Sequence, residues 1–243
     1  MDICWLEQTE AQVPDGDDWL SQAETTILRG FRFAKRRADW RLGRWTAKNA
    51  VAMCLGARLE RAGLRNIEIR AAASGAPKVF FEGECAPVSI SLSHRAGLGA
   101  CAIGTPGMAL GCDLEFVEPH SATFAADYFS TQEQELVMAA GLVNRDWLLA
   151  LLWSAKESAL KALQEGLRLD TRSVIVDPGR LASRQPGRWN PLRARCNNGQ
   201  MLYGWWNVAD GFVRTVLATS ARDLLVMRNG IPRPTETRES VLA

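Results

Sequence analysis

An eight-residue pattern occurs twice in this 243-residue chain, and it limits the possible folds more than any other feature. Trp45–Ala52 (WTAKNAVA) matches Trp153–Leu160 (WSAKESAL) position by position, 108 residues later. Both segments carry apolar residues at helical spacing, so both are predicted to be amphipathic helices. The repeat favours a duplicated unit, and coincidence between two short segments is the alternative.

One strand pattern follows each helix, and two further strand patterns then flank a turn. The strand patterns are 66–70, 88–93 and 98–103 in the first half, and 173–176, 201–208 and 212–218 in the second. The second hairpin turns at Asp210-Gly211, a dipeptide that favours a tight turn. The same order of elements in both parts predicts an α+β fold built as a pseudo-two-fold pair of similar α/β halves.

A cluster of Gly and Pro at residues 104–107 marks the predicted boundary between the halves. It divides the chain into an N-terminal half, 1–106, and a C-terminal half, 107–243. Residues 178–200 contain several prolines and glycines and are predicted to be an irregular connection. The polar tail that begins at Pro232 is predicted to be frayed.

Composition favours a protein of the reducing cytosol. The six cysteines are scattered without any Cys-x-x-Cys pair, which argues against a disulfide framework and against a zinc site. The formal net charge of +2 gives no global reason to expect binding to nucleic acid or to an anionic membrane. No apolar run approaches the roughly 20 residues that span a bilayer, and the first residues lack the pattern of a signal peptide.

Two carboxylates are predicted on one face of a strand. Asp113 and Glu115 follow the apolar pair Ala109-Leu110, and the alternation of a strand places both side chains on the same face. Such a pair suits Mg²⁺, which prefers oxygen ligands and substrate phosphates. A solvated strand face is the alternative interpretation.

Two further pairs carry the groups that phosphate chemistry needs. Glu157 and Lys161 are four residues apart on the second predicted helix and share one face, as an ordinary surface ion pair also would. Ser93 and His94 lie where a predicted strand meets its turn. The histidine could donate to a phosphate or, alternatively, to a neighbouring carbonyl.

Basic residues open the first predicted amphipathic helix: Arg32, Lys35, Arg36, Arg37, Arg41 and Arg44. Cations at the start of a helix oppose its macrodipole, so local stability does not favour them there. This favours a bound polyanion over a face that is merely solvated. The chain contains neither a Walker-type nor a Rossmann glycine pattern.

The order and spacing of these motifs resemble those of the 4′-phosphopantetheinyl transferase superfamily. The segments that carry the resemblance are Gly111-Cys112-Asp113-Leu114-Glu115, Trp153 through Lys161, and Ser93-His94. The length of the chain is similar to that of the large Sfp-type (surfactin-synthetase-activating) class. Members of that class are monomers of two similar halves, with the active site in the cleft between them.

The resemblance implies a holo-[acyl-carrier-protein] synthase activity that depends on Mg²⁺. The 4′-phosphopantetheine arm of coenzyme A would move to a serine of an acyl, peptidyl or aryl carrier protein, and adenosine 3′,5′-bisphosphate would leave. The expected partners are coenzyme A and apo carriers of fatty-acid, polyketide or nonribosomal-peptide synthases, as in secondary metabolism. We expect a cytoplasmic monomer that binds neither nucleic acid nor membrane, and the sequence does not identify its carrier.

The resemblance also implies residue roles. Asp113, Glu115 and Glu157 would hold Mg²⁺, with the N-terminal half on the 3′-phosphoadenosine side of coenzyme A. Glu157 would serve as ligand or as base, and Lys161 would contact the phosphates and support the leaving group. Coenzyme A contacts are implied for Arg36, Arg44, Gly75, Ala76, Pro77, Ser93, His94, Asp113 and Lys161, with Lys48 and Lys78 as weaker candidates.

The chain departs from the family pattern at three positions: Ala76, where a lysine is frequent, Cys112, usually aliphatic, and Arg95, usually small and polar. Residues 124–129 are candidate carrier contacts, although Tyr128 and Phe129 are expected in the core. Two rival functions are a non-catalytic module that binds coenzyme A or a nucleotide, and a magnesium phosphohydrolase.

Overall fold

A computed structural model describes residues 2–57, 60–121, 123–164, 169–179, 181, 187–228 and 231–234. The strands are β1 (Ile3–Thr9), β2 (Ile67–Ala71), β3 (Pro77–Phe81), β4 (Glu84–Cys85), β5 (Ser89–Arg95), β6 (Leu98–Gly104), β7 (Leu110–Phe116), β8 (Val174–Asp177), β9 (Asn190–Cys196), β10 (Met201–Ala209), β11 (Phe212–Ala218), β12 (Leu224–Arg228) and β13 (Ile231–Pro234). The helices are α1 (Gln22–Arg29), α2 (Ala34–Cys54), α3 (Phe124–Tyr128), α4 (Thr131–Ala139) and α5 (Gly141–Leu163). The predicted α+β class is confirmed. None of the described helices is both long and apolar enough to cross a membrane.

Two five-stranded sheets carry the two long helices. The first sheet has the order β13-β12-β1-β6-β5 and the second the order β7-β11-β10-β9-β8, while β2, β3 and β4 form a small third sheet. Helix α2 packs on the first sheet and α5 on the second. Both predicted hairpins are confirmed, and each turns on two residues with positive φ, Ala96-Gly97 and Asp210-Gly211.

The two large sheets meet where β5 lies beside β7. Serine hydroxyls of β5 replace the backbone partners that a continuous sheet would supply. Ser91 Oγ accepts a hydrogen bond from the backbone N–H of Cys112 at 2.9 Å, and Ser93 Oγ accepts one from Leu114 at 3.2 Å. These two serines, Ser91 and Ser93, which we call the serine stitch, fix the position of β5 along β7.

Helix α5 lies directly on β7 because β7 has a glycine at the contact. A Cβ added at Gly111 would lie 1.8 Å from the backbone oxygen of Ser158 on α5 and 2.6 Å from the backbone nitrogen of Ala162. The side chain of Ser158 also bonds to Thr215 on β11, with Oγ atoms 2.7 Å apart. The backbone of α5 therefore runs directly against β7 at Ser158, about one helical turn before Lys161.

A buried lysine-glutamate pair involves each of the two long helices, α2 and α5. Lys48 Nζ pairs with Glu24 and bonds to the carbonyls of Trp19 and Leu64. Glu24 in turn accepts from the N–H of Ile69 at 3.1 Å and closes a capping box with the N-cap residue of α1.

The C-terminal pair has the same arrangement. Lys156 Nζ lies 2.9 Å from Glu133 and bonds to the carbonyls of Thr171 and Val174. Glu133 accepts from the N–H of Val176 at 2.9 Å and closes a capping box at α4. Both lysines are fully buried. The recurrence agrees with the predicted duplication, and the pseudo-two-fold arrangement stays a prediction.

Two predictions about irregular segments were wrong. Within 178–200, residues 190–196 form β9, whose side chains alternate between buried and exposed. Pro191 is the second residue of this strand, where its missing N–H is tolerated, and it concealed the alternation that follows. Residues 180 and 182–186 lie outside the described residues.

The polar tail also differs from its prediction, because Pro232 lies within β13 rather than in a frayed segment. Strand β12 pairs in parallel with β1, so the last described hairpin belongs to the sheet of the N-terminal half. For the other elements, the division into two halves between residues 106 and 107 stays a prediction. Residues 235–243 lie outside the described residues.

Candidate functional site

Asp113 and Lys161 meet where β7 and α5 are in contact. Lys161 Nζ lies 2.7 Å from Asp113 Oδ1 and donates a second hydrogen bond to the carbonyl of Cys112 at 3.0 Å. Ser93 Oγ donates to the same Asp113 Oδ1 at 2.9 Å. The second oxygen of Asp113, Oδ2, is buried and has no hydrogen-bond partner. The structure therefore brings together three predicted site residues from two sheets and one helix.

Glu115 lies two residues farther along β7, and both of its oxygens are engaged. Trp153 Nε1 donates to Oε1 at 3.2 Å, and Arg95 Nε lies 3.5 Å from Oε2. The Arg95 guanidinium also pairs with Glu118, with Nη2 2.6 Å from Oε1. The unusual arginine of the sequence is thus an ion-pair partner of a predicted metal ligand.

Burial and the charge of Asp113 raise the pKa values of the two glutamates at the site. Burial and then the charge of Asp113 raise the pKa of Glu115 to about 7, while Arg95 opposes the shift. Burial and Asp113 also raise the pKa of Glu157. Burial alone would lower the pKa of Lys161, but the carboxylates of Asp113 and Glu157, together with Cys112, outweigh it and raise that pKa. Negative charge therefore exceeds what the one lysine neutralises at this site.

The residues present fit a divalent cation in their chemistry. All three predicted ligands are carboxylates, which Mg²⁺ prefers, and Asp113 Oδ2 is a buried oxygen without a partner. In the described part of the chain, no three acidic, histidine or cysteine side chains are gathered around one point that could hold a metal. The carboxylates would therefore have to turn toward a bound ion from the positions described above.

A cavity of about 640 Å³ adjoins Lys161. Its walls come from both halves: Arg44 of α2, the turn between β2 and β3, strand β5, and the end of α5. Of the residues predicted to contact coenzyme A, Arg44, Gly75, Ala76, Pro77 and Lys161 line it, and the weaker candidate Lys78 does too. Its size is typical of small-molecule pockets.

Other predicted contacts lie outside this cavity. The guanidinium of Arg36 lies over the Phe31 ring, 5.2 Å from its centroid. Lys48 is buried in the ion pair with Glu24, so its interpretation as a coenzyme A contact was wrong. Its spacing on an amphipathic helix did not distinguish a buried cation with a partner from one that faces a ligand.

His94 lies beside the acidic site and outside the cavity lining. Partial desolvation lowers the pKa of His94, and the charges of Asp39, Lys161 and Asp113 act on its ring as well. A Cβ added at Gly43 would lie 3.9 Å from His94 Cδ2, so α2 passes close to the imidazole.

Sequence reasoning missed several residues of the site. Gln164 ends α5 in the left-handed conformation, lines the cavity and bonds to Ser74 across it at 3.3 Å. Trp153 was assigned to an apolar stripe, yet its indole N–H holds Glu115. Tyr128 was expected in the core but is exposed, while Phe129 is buried as predicted. The polar alternation Ser89, Ser91 and Ser93 was the signal that could have identified the stitch to β7.

This arrangement can bind an anion with several negative charges and act on it. Lys161 lines the cavity next to a cluster of carboxylates, and three further cations, Arg44, Arg70 and Lys78, also line it. Such a combination suits a phosphate ester that is bound together with a divalent metal.

The C-terminal part of the chain matches a family model described as the 4′-phosphopantetheinyl transferase superfamily, over residues 109–199. The matched segment contains Asp113, Glu115, Glu157 and Lys161. It does not include Ser93, His94 or the basic start of α2.

Individual proteins show the same similarity. The 4′-phosphopantetheinyl transferase HetI of Nostoc sp. is 25% identical over 176 residues, which is 71% of this chain and 72% of that protein. A holo-[acyl-carrier-protein] synthase of Streptococcus agalactiae is 27% identical over 84 residues, which is 35% of this chain and 71% of that protein.

Proposed function

We propose that the chain is a member of the 4′-phosphopantetheinyl transferase superfamily and that it moves the 4′-phosphopantetheine arm of coenzyme A onto a serine of a carrier protein. The products are the holo-carrier and adenosine 3′,5′-bisphosphate. The observation that carries this proposal is the contact between Lys161 and Asp113 at the edge of a cavity that both halves line.

The cavity supports coenzyme A as the donor. Arg44 and Lys161 supply positive charge to its phosphates from two walls, and the turn at Gly75–Pro77 supplies backbone close to the ligand. Lys161 stands where negative charge builds up on the departing bisphosphate, and its contact with Asp113 fixes its position. Because both halves line the cavity, we propose that one chain forms a complete site and acts as a monomer.

The reaction needs one proton transfer. The carrier serine attacks the phosphorus that bears the pantetheine oxygen, and the bond from that phosphorus to the bisphosphate breaks. Glu157 carries a raised pKa beside Asp113 and has no hydrogen-bond partner among the described residues, so we assign it the serine proton. Ser93 and Lys161 hold Asp113 in place during this step.

Asp113, Glu115 and Glu157 would hold Mg²⁺. The metal, when bound, neutralises the phosphate oxygens and so favours attack by the serine oxygen. Asp113 offers its unpaired Oδ2, while Glu115 must first loosen its contact with Arg95.

The test is to mix the protein with coenzyme A, Mg²⁺ and a panel of apo carriers from fatty-acid, polyketide and peptide synthases. We expect at least one carrier to gain the mass of one phosphopantetheine, and EDTA to prevent the gain. Coenzyme A consumed without a change in the carrier would identify a phosphohydrolase. Binding of coenzyme A with neither event would identify a non-catalytic module.

Substitutions at the acidic site test the roles assigned to its carboxylates. Asp113→Asn and Glu157→Gln are expected to slow transfer by about 100-fold or more, because each removes a carboxylate charge that would hold Mg²⁺, and the second also removes the group assigned the serine proton. Their melting temperatures should stay close to that of the wild-type chain. Full activity of either variant would overturn the assignment of these carboxylates.

A further inference from the structure

A second cavity, of about 670 Å³, is lined by strands and helices of both halves. Among the residues that the structure describes, it shares no lining residue with the cavity beside Lys161. Three of its lining residues stand 108 positions before residues of the acidic site: Glu7 before Glu115, Asn49 before Glu157, and Met53 before Lys161. This is the same displacement that separates the two repeated segments, so the second cavity is the counterpart of the acidic site in the sequence repeat.

The counterpart residues give this cavity a different chemistry. Asn49 supplies an amide where the acidic site has a carboxylate, and Met53 supplies a thioether where it has an ammonium. Trp5 lines the cavity at the position that the same displacement gives to the first carboxylate of the acidic site. Glu7 accepts from Arg214 Nε at 2.6 Å and from Trp5 Nε1 at 2.7 Å. The described lining therefore lacks both the carboxylate set for a metal and an unpaired cation for a phosphate.

Three amide side chains that line the second cavity have hydrogen-bonding atoms to spare. Asn207 is only 4% exposed, yet its side-chain amide makes no hydrogen bond to any of the described residues. Gln8 Oε1 is buried and has no partner either. Asn49 donates its Nδ2 to the carbonyl of Trp45 at 2.8 Å, which leaves its Oδ1 as an acceptor. Because buried polar groups are normally paired, these oxygens point to a ligand that supplies N–H donors.

The charge and the aromatic wall of the second cavity favour a cation. Its described charged residues are Glu7, Asp210 and Arg214, two carboxylates and one guanidinium, which give a net charge of −1. Trp5 and Trp189 also line it, with their rings edge to face and their centroids 5.2 Å apart. Indole rings attract cations through their π-systems and pack against apolar groups. An anion finds no such support here.

We propose that the second cavity binds a small organic cation that carries N–H donors on an apolar frame, an amine or an amidine. The oxygens of Gln8, Asn49 and Asn207 accept from its N–H groups, and the indoles of Trp5 and Trp189 contact its frame. This site is separate from the proposed transfer reaction, because its lining residues are not those of the cavity beside Lys161.

Three ligands of one shape and different charge test the proposal. Benzamidine is a cation, benzamide is neutral and benzoate is an anion, and each is titrated into the full chain by calorimetry at neutral pH. A second set of titrations contains saturating coenzyme A and Mg²⁺, so that any ligand bound beside Asp113 is displaced. In both sets we expect benzamidine to bind at least about tenfold more tightly than benzoate, because hydrogen bonds from a charged donor are the stronger ones. Benzamide should lie between the two.

Two substitutions locate the ligand, each with a matched control. Asn207→Leu removes the amide and keeps the size of the side chain, and it should weaken benzamidine binding about tenfold, as loss of a hydrogen bond to a charged group does. Asn197→Leu changes an exposed asparagine outside both cavities and should leave the Kd unchanged. Met53→Lys adds a cation to the lining, so it should weaken benzamidine binding more than about tenfold and admit benzoate. Met53→Leu should retain the binding of the wild-type chain.

Melting temperatures show which variants are folded, and Asn207→Leu decides the proposal if Met53→Lys does not fold. Benzamidine that binds no more tightly than benzoate, or does not bind, would overturn the proposal. Binding that coenzyme A and Mg²⁺ abolish would assign the ligand to the acidic site and overturn it as well. A Kd for benzamidine that is the same in Asn207→Leu and in the wild-type chain would also contradict it.

Discussion

At the scale of single residues, Asp113 has two oxygens in opposite surroundings. Oδ1 accepts from Ser93 and Lys161, whereas Oδ2 is buried without a partner. A buried oxygen without a hydrogen bond costs about 1–3 kcal/mol, more when it is charged. The chain tolerates this cost at the same place where Glu115 and Glu157 have raised pKa values. The carboxylates of this site therefore lack one cation to balance their charge.

Arg95 partly compensates for that missing charge, and its removal should change metal binding. We expect Arg95→Ala to bind Mn²⁺, used as a spectroscopic substitute for Mg²⁺, about two- to fivefold more tightly, since an exposed ion pair contributes up to about 1 kcal/mol. The measurement is a titration followed by electron paramagnetic resonance at pH 8.5. Loss of Arg95 raises the pKa of Glu115 above its value of about 7, and this pH keeps the carboxylate ionised.

Arg65→Ala is the control for this titration, because Arg65 is exposed and lies outside the site. Weaker or unchanged Mn²⁺ binding by Arg95→Ala would contradict competition between the arginine and the metal for Glu115.

At the scale of elements, the site depends on how β5, β7 and α5 are held together. Two serines of β5 bond to the backbone of β7, and Gly111 lets the backbone of α5 approach the same strand. Lys161 and Asp113 are 2.7 Å apart beside these contacts. Local sequence patterns predicted the helix, the hairpin and the strand. They could not predict the contacts between them, because those depend on the reach of side chains across the junction.

Substitution of the two stitch serines should affect stability alike but affect activity differently. Ser91→Ala and Ser93→Ala each leave one N–H of β7 without its partner, so each is expected to lower the free energy of unfolding by about 1–3 kcal/mol. Only Ser93 also holds Asp113. We therefore expect transfer by the folded protein to fall several-fold more in Ser93→Ala than in Ser91→Ala. Urea denaturation and initial rates measure the two effects, and equal rates in the two variants would contradict a positioning role for Ser93.

Replacement of glycine by alanine should change the free energy of unfolding in opposite directions at two positions. Gly111→Ala places a Cβ within 1.8 Å of a backbone oxygen of α5, and such overpacking is expected to cost about 1–3 kcal/mol or more. Gly43→Ala lies inside α2, where the nearest atom is 3.9 Å away, and is expected to stabilise the chain by up to about 1 kcal/mol. Both are measured by urea denaturation. A Gly111→Ala variant as stable as the wild-type chain would show that α5 can move away from β7.

At the scale of the whole molecule, the short sequence repeat corresponds to a larger structural one. The repeated segments place Lys48 and Lys156 at equivalent positions, and each lysine is buried against a glutamate from a capping box. The sequence predicted the helices from local periodicity, but Glu24 and Glu133 were not identified. They lie more than twenty residues before their lysines, and only the fold brings each pair together. Strands β1 and β12 were missed for the same reason, since parallel pairing leaves no local signal.

If the two halves are energetically equivalent, the two buried lysine-glutamate pairs should contribute similar amounts to the free energy of unfolding. Glu24→Gln and Glu133→Gln each leave a buried lysine without its counter-charge and are expected to cost about 3–5 kcal/mol. The measurement is equilibrium unfolding in urea, with the KM for coenzyme A as the control that should not change in either folded variant. A cost confined to one half would argue against equivalence. A changed KM for coenzyme A in Glu24→Gln would restore Lys48 as a ligand contact.

The pairing of Ile3 with Leu224 has a consequence for synthesis on the ribosome. About 220 residues separate the two strands, and at about 5–20 residues per second they emerge about 10–45 s apart. During that interval β1 has one open edge, since β6 covers only the other side. An uncovered edge is a template for pairing with another chain. Strand β1 is thus completed by a strand that is made about 220 residues later, and the nascent protein must keep that edge free of other strands until then.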